Sequence, residues 1–165
     1  MKLFGTMKAE NGILEIGGIK VTELAEKYGT PLYIMDQSLI EENIIKYKNN
    51  FKSSKFDTSI VYASKAFLSK AICQLVEKYD IEIDAVSGGE LYTIKTSGLP
   101  MKKVHMHGNN KTDEELEMCL DYEIGSIIID NEEEIERLSR ICKEKNKKIK
   151  VMMRINIGID AHTHE

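Results

Sequence analysis

Ile60-Val61-Tyr62-Ala63-Ser64-Lys65-Ala66-Phe67 decides how the rest of the chain is read. The apolar run Ile60 to Ala63 predicts a buried β-strand that ends on a lysine and passes into a helix. A lysine at that point stands between a dry interior and water. Desolvation there disfavours the charged form of an amine and frees it to attack a carbonyl, the chemistry of a Schiff-base lysine. A lysine that merely snorkels into water has the same local sequence. The other strands have to separate the two.

Working outward from Lys65, the pattern is regular. A helix with Leu68, Ala71, Ile72, Leu75, Val76 and Tyr79 on one face follows the strand. Strands are expected at Ile81–Val86, Lys103–Met106, Ser126–Ile129 and Ile149–Ile155. Helices are expected at Gly88–Thr96, Asp113–Tyr122 and from Asn131 to about Asn146. Ser87-x-x-Glu90 and Thr112-x-x-Glu115 read as capping boxes, and Asp130 stands just before Glu132-Glu133-Glu134. Strands that begin at intervals of about two dozen residues, with helices between, imply a parallel α/β sheet.

Upstream, Leu14, Ile16 and Ile19 suggest a short strand around Gly17-Gly18. Thr22 should cap a helix from Glu23 to Tyr28 that Gly29 ends and Pro31 bars from continuing. Leu32–Met35 reads as a short strand. Asp36 or Ser38 should cap a helix whose apolar face is Leu39, Ile40, Ile44, Tyr47 and Phe51.

Composition excludes several classes. The 165 residues carry a net charge of −4 and a pI near 5.7, with lysines interleaved among glutamates, so no nucleic-acid partner is indicated. No apolar run is long enough for a signal peptide or a membrane span. Cys73, Cys119 and Cys142 fall inside expected helices at unrelated spacings, which suits buried thiols in a reducing cytoplasm.

An open doubly wound sheet and part of a (β/α)8 barrel both fit five βα steps. Neither a GxGxxG fingerprint nor a Walker loop follows the first strand. Polar residues sit instead at the carboxyl ends of successive strands: Lys65, Asp84, His107, Asp130 and Arg154. Several strands contributing to one rim is how barrel sites are built, so the barrel is the expected fold.

These residues carry a resemblance. Tyr62-Ala63-Ser64-Lys65-Ala66, Asp84-Ala85-Val86-Ser87-Gly88-Gly89-Glu90-Leu91, His107-Gly108-Asn109-Asn110-Lys111-Thr112 and Arg154 to His164 resemble the diaminopimelate decarboxylase family. Val21 to Tyr33 is similar to that family's entry into the barrel. The resemblance implies an alanine-racemase-like fold: a pyridoxal-phosphate-binding (β/α)8 barrel preceded by a short N-terminal segment that pairs with a β-rich domain. It implies a division into residues 1–35 and 36–165. It also implies a homodimer in the complete enzyme, and decarboxylation of meso-diaminopimelate to L-lysine in the cytoplasm.

The resemblance further implies roles. Lys65 is the catalytic residue and holds pyridoxal phosphate through its amine. Asp84, Arg154 and His107 lie beside the cofactor, with Glu90 and Lys111 behind them. Ornithine, arginine or a polyamine precursor are the alternative substrates. A chain that only binds the cofactor, or a complementing chain, is the alternative without turnover.

Other features read plainly. Ser87-Gly88-Gly89 is a helix start already used by its cap, so no phosphate is expected there. His162-Thr163-His164 lacks a third ligand, so no metal is expected. His105 and His107 share one strand face. Glu132–Glu136 reads as a solvated helix start, and Met152-Met153 as core. A whole barrel takes about 250 residues. The chain is therefore expected to be an N-terminal portion, with Ile149–Ile155 an unprotected apolar edge that promotes association.

Overall fold

The structure, a computed structural model, describes residues 2–156 and 158. It divides into two compact units, Met1–Thr58 and Ser59–Glu165.

In the first unit, β1 (Lys8–Glu10), β2 (Ile13–Ile16) and β3 (Ile19–Lys20) form an antiparallel sheet. Its two hairpins turn on Asn11-Gly12 and Gly17-Gly18, all at positive φ, as two-residue turns between twisted strands require. Glu15 lies opposite both Lys8 and Lys20, an arrangement of opposite charges across the strands.

Helix α1 (Val21–Tyr28) follows β3 without a break. It therefore starts before the expected Glu23, with Lys20 rather than Thr22 at its N-cap and no side-chain capping bond. Leu32–Met35 is not a strand: among the described residues no strand pairs with it, and its apolar side chains stand exposed. Asp36 caps α2 (Gln37–Asn50), accepting from the Leu39 N–H at 3.1 Å. The Thr6 hydroxyl donates to the same carboxylate at 2.5 Å and holds it below the usual carboxylate range.

The second unit carries the parallel sheet. Strands β4 (Val61–Ala63), β5 (Glu82–Ala85), β6 (Val104–Met106), β7 (Ser126–Ile129) and β8 (Val151–Met153) pair in sequence order. Between them run α3 (Lys70–Lys78), α4 (Gly88–Ser97), α5 (Asp113–Asp121) and α6 (Glu132–Glu144). The strand order never reverses, which excludes a doubly wound sheet over these strands.

The core lies on one face of the sheet. Ile83, Ala85, Val104, Met106, Ile127 and Ile129 are buried with Leu91, Ile94, Leu116, Cys119, Leu138 and Ile141 of the helices. The opposite face carries Glu82, Asp84, His105 and Ser126 on its three central strands. Helices on one side of a sequentially ordered parallel sheet give the wall of a (β/α)8 barrel, part-way round.

Edge position explains two departures from expectation. Val61 and Ala63 are exposed, so the Lys65 strand is not buried, and Met152 and Met153 are 40% and 66% exposed rather than core. Both β4 and β8 lack a neighbour on one side among the described strands. The cysteines do fall in α3, α5 and α6, all as free thiols, and burial pushes the Cys119 thiol up to about 12.

The helix starts differ in detail. Thr112 and Glu115 form a complete capping box on α5. At α4 Ser87 accepts from the Glu90 N–H, but the Glu90 carboxylate reaches one residue further back, to the Val86 N–H at 2.6 Å. At α6 the cap is Asn131, not Asp130, and Glu134 reaches back in the same way to the Asp130 N–H at 3.0 Å. Thr112→Ala should cost about 1 kcal/mol, read as a lower urea midpoint by circular dichroism.

Candidate active site

The period of two along each strand places Val61 and Ala63, Glu82 and Asp84, His105, Ser126 and Ile128, and Met152 on the face away from the helices. Their polar members are linked across strands. His105 Nδ1 lies 2.7 Å from Ser126 Oγ, and its Nε2 lies 3.2 Å from Glu82 Oε2. One layer nearer the carboxyl ends, His107 Nε2 lies 3.9 Å from Asp84 Oδ2, and Arg154 Nη1 lies 3.3 Å from Asp130 Oδ1.

Rim backbone is fixed by continued ladder pairing. The His107 N–H donates to the Ala85 carbonyl at 2.7 Å, and the Arg154 N–H to the Ile129 carbonyl at 2.9 Å. Lys65 leaves β4 in a 3₁₀ turn, Ser64–Ala66, which the Tyr62 hydroxyl braces by donating to the Phe67 carbonyl at 2.7 Å. A cavity of about 270 Å³ opens here, lined by Lys65, Asp84, His107 and Arg154 with Ser64 and Asn109 among its other walls. It is just under the ~300–1,000 Å³ usual for small-molecule sites.

Four residues read from the sequence as site residues therefore meet in one cavity. Their setting differs from the expectation in one respect. Lys65 is exposed, because β4 is an edge strand, and the desolvation expected of a buried strand end is not supplied by the described residues. Ser64, beside it, is 2% exposed, and its Oγ has no hydrogen-bond partner among the described residues.

Burial raises the Asp84 carboxyl above its ordinary value, with His107, His105 and Lys65 pulling the other way and Glu82 adding to the rise. A native state that binds the proton more readily than the unfolded chain gains stability from this group at low pH and loses it as pH rises. Asp84→Asn removes the charge. The variant should melt higher than the parent near neutral pH, and the difference should close as pH falls towards 3.8. Thermal melts at a series of pH values read this directly, and a gap that widened in acid would contradict it.

Glu90 and Lys111 stand outside the cavity lining. Glu90 is engaged by the Val86 N–H. Lys111 is fully buried, its Nζ donating to the carbonyls of Gly108 at 2.6 Å and Ile128 at 2.7 Å and lying 2.6 Å from Glu134 Oε1. Glu134 is 2% exposed, so the Glu132–Glu136 run is not wholly solvated: its third position turns back under the strand ends and meets Lys111. Sequence reading missed the Glu82–His105–Ser126 line and the Asp130–Arg154 pair. The alternations Glu82-x-Asp84 and His105-x-His107 are the signal that both strands bear a polar inner face. The Asp160–Glu165 run, with His162 and His164, lies outside the described residues.

Comparison with known proteins fits this geometry. Residues 37–165 match the family model described as pyridoxal-dependent decarboxylase, pyridoxal binding domain. The whole chain is 48% identical to a diaminopimelate decarboxylase of Bacillus methanolicus and 48% identical to that of Bacillus subtilis, covering 38% of each. Among solved structures, diaminopimelate decarboxylase from M. jannaschii in complex with L-lysine superposes with a TM-score of 0.84 at 36% identity, over 96% of this chain and 38% of that one. The chain thus spans well under half the length of these relatives. A lysine, a carboxylate, an imidazole and a guanidinium at the carboxyl ends of four of the five parallel strands, within a family match over residues 37–165, place the chain in the pyridoxal-dependent decarboxylase family, in its pyridoxal-binding domain.

Proposed function

We propose that this chain supplies the lysine-bearing part of an enzyme that decarboxylates meso-2,6-diaminopimelate to L-lysine, the last step of lysine biosynthesis. The observation that carries this reading is the convergence of Lys65, Asp84, His107 and Arg154 on one cavity. The substrate comes from the relatives named above. The pyridoxal-binding part begins at residue 36 on this reading, supported by a family match from residue 37. A cytoplasmic homodimer belongs to the same proposal, with three free thiols as its support for the compartment. Among the described residues no helix is long and apolar enough to cross a membrane.

The residues present suit pyridoxal phosphate. An amine and a guanidinium face the cavity with one carboxylate, a donor set for a ring that carries a carbonyl, a hydroxyl and an anionic substituent. The orphaned Ser64 Oγ is a further polar atom in that wall. When bound, this cofactor supplies a carbonyl for an amine to join and a ring system that accepts the electrons released with CO2.

The chain's own part is binding, orientation and charge. Lys65 brings the nucleophilic amine that would hold the cofactor, and as a free amine it would be the group placed to return a proton. Asp84 balances positive charge around that amine and stands 3.9 Å from His107, which forms one side of the cavity. Arg154 cannot deprotonate, so it donates hydrogen bonds without taking a proton. Asp130 holds it from the neighbouring strand end.

The test is to co-produce the chain with the remaining part of the Bacillus subtilis relative and assay turnover. CO2 release with lysine formation from meso-diaminopimelate is the expected result. Turnover of ornithine or arginine alone would move the chain to a related decarboxylase. No turnover of any amino acid would leave a chain that at most binds the cofactor.

A further inference from the structure

Three carbonyl or carboxylate groups from three different segments converge on the Lys111 ammonium: Gly108 in the loop after β6, Ile128 near the end of β7, and Glu134 in the first turn of α6. Two of its donor hydrogens go to the carbonyls, and the Glu134 carboxylate stands beside it as the counter-ion. Both side chains are almost wholly buried, at 1% and 2% exposure. The pair is far more secluded than the exposed ion pairs of α6, such as Arg140 with Glu144.

What the pair is tied to matters more than its burial. Gly108 follows His107 directly, and its φ of 115° is one that few side-chain-bearing residues adopt. Its carbonyl is held by Lys111. The other oxygen of Glu134 accepts the Asp130 N–H, and Asp130 in turn contacts Arg154. Arg137 of α6 adds a bond from Nη1 to the Lys111 carbonyl at 3.0 Å, closing the loop from behind. Two rim groups from separate strands, His107 and the Asp130–Arg154 pair, thus rest on one buried brace.

We propose that Lys111 and Glu134 are positioning residues that set the places of His107 and Asp130 at the cavity rim. The inference rests on the cofactor reading only for its consequence, because the brace itself is defined by contacts within the chain. A buried pair of this kind adds little net stability over apolar residues of similar size, and holding a rim geometry is a use that does require it.

The test compares two imidazoles on the same strand edge. His105 is held by Glu82 and Ser126, which the brace does not touch, while His107 precedes the braced glycine. Lys111→Met alone leaves the Glu134 charge buried and unpaired, and can unfold the unit. Lys111→Met/Glu134→Gln removes both charges and keeps an acceptor for the Asp130 N–H. In this double variant, with its fold checked by circular dichroism, the His107 ring carbon–proton cross-peak should be displaced while that of His105 stays. Assignment comes from His107→Gln. Two unmoved cross-peaks would overturn the proposal, and so would equal movement of both, which is general loosening. Wild-type chain treated with pyridoxal phosphate and borohydride is the separate control. Failure to label Lys65 there counts against the cofactor reading, and the cross-peaks still decide the brace.

Discussion

Lys111→Met should destabilise the second unit by about 3–5 kcal/mol, the usual cost of breaking a buried ion pair from one side. The loss comes from what remains. Glu134 is 2% exposed and would keep a carboxylate with no counter-ion, while the carbonyls of Gly108 and Ile128 lose their donor. Against a total stability of about 5–15 kcal/mol for a typical domain, that is a large share. Urea unfolding followed at 222 nm reads it as a lower midpoint. The double variant Lys111→Met/Glu134→Gln should recover much of the loss, because no charge is then stranded. Arg140→Ala, which breaks the exposed pairs of α6 with Glu144 and Asp113, should move the midpoint far less. A Lys111→Met variant within about 1 kcal/mol of the parent would mean that water reaches the pair.

Gly125→Ala should be nearly as damaging, for a steric reason. Gly125 precedes β7 and donates its N–H to the carbonyls of Met101 at 3.1 Å and Val104 at 2.9 Å. A Cβ there would overlap the Lys102 carbonyl oxygen and stand 3.0 Å from that of Val104. Both obstacles are backbone, so no side chain can swing aside. The 3₁₀ turn Met101–Lys103 before β6, or the start of β7, would have to move, at a cost of about 3 kcal/mol, the upper end for overpacking. Gly88→Ala is the control. Its Cβ would meet the flexible Met118 sulfur at 3.3 Å in a helical conformation, and alanine there also limits the unfolded chain. A Gly125→Ala midpoint no lower than that of Gly88→Ala would contradict the packing described.

The rim was legible because two simple periods coincide. Strands recur at even spacing and side chains alternate along each, so a polar residue at the end of each apolar run can be assigned to one rim without coordinates. Lys65, Asp84, His107 and Arg154 meet in the cavity for that reason. Burial was less legible. Ile60–Ala63 and Met152-Met153 read as interior from their composition, yet each belongs to an edge strand, and an edge is a property of neighbours rather than of sequence. Leu32–Met35 has strand composition but no strand pairs with it among the described residues. Glu134 lay hidden in a charge run, since only its position in the first turn of α6 and the approach of Lys111 from another segment set it apart. Asn131 rather than Asp130 caps α6 because the helix begins at Glu132, which leaves the Asp130 carboxylate to Arg154.

Incubating the chain with pyridoxal phosphate, reducing with borohydride and mapping the pyridoxyl group by mass spectrometry tests whether the cavity is a cofactor site. A dominant adduct on Lys65 that disappears in Lys65→Ala is the predicted result. Adducts scattered over the surface lysines, with no excess at Lys65, would contradict it and leave the convergence of Lys65, Asp84, His107 and Arg154 without a cofactor to explain it.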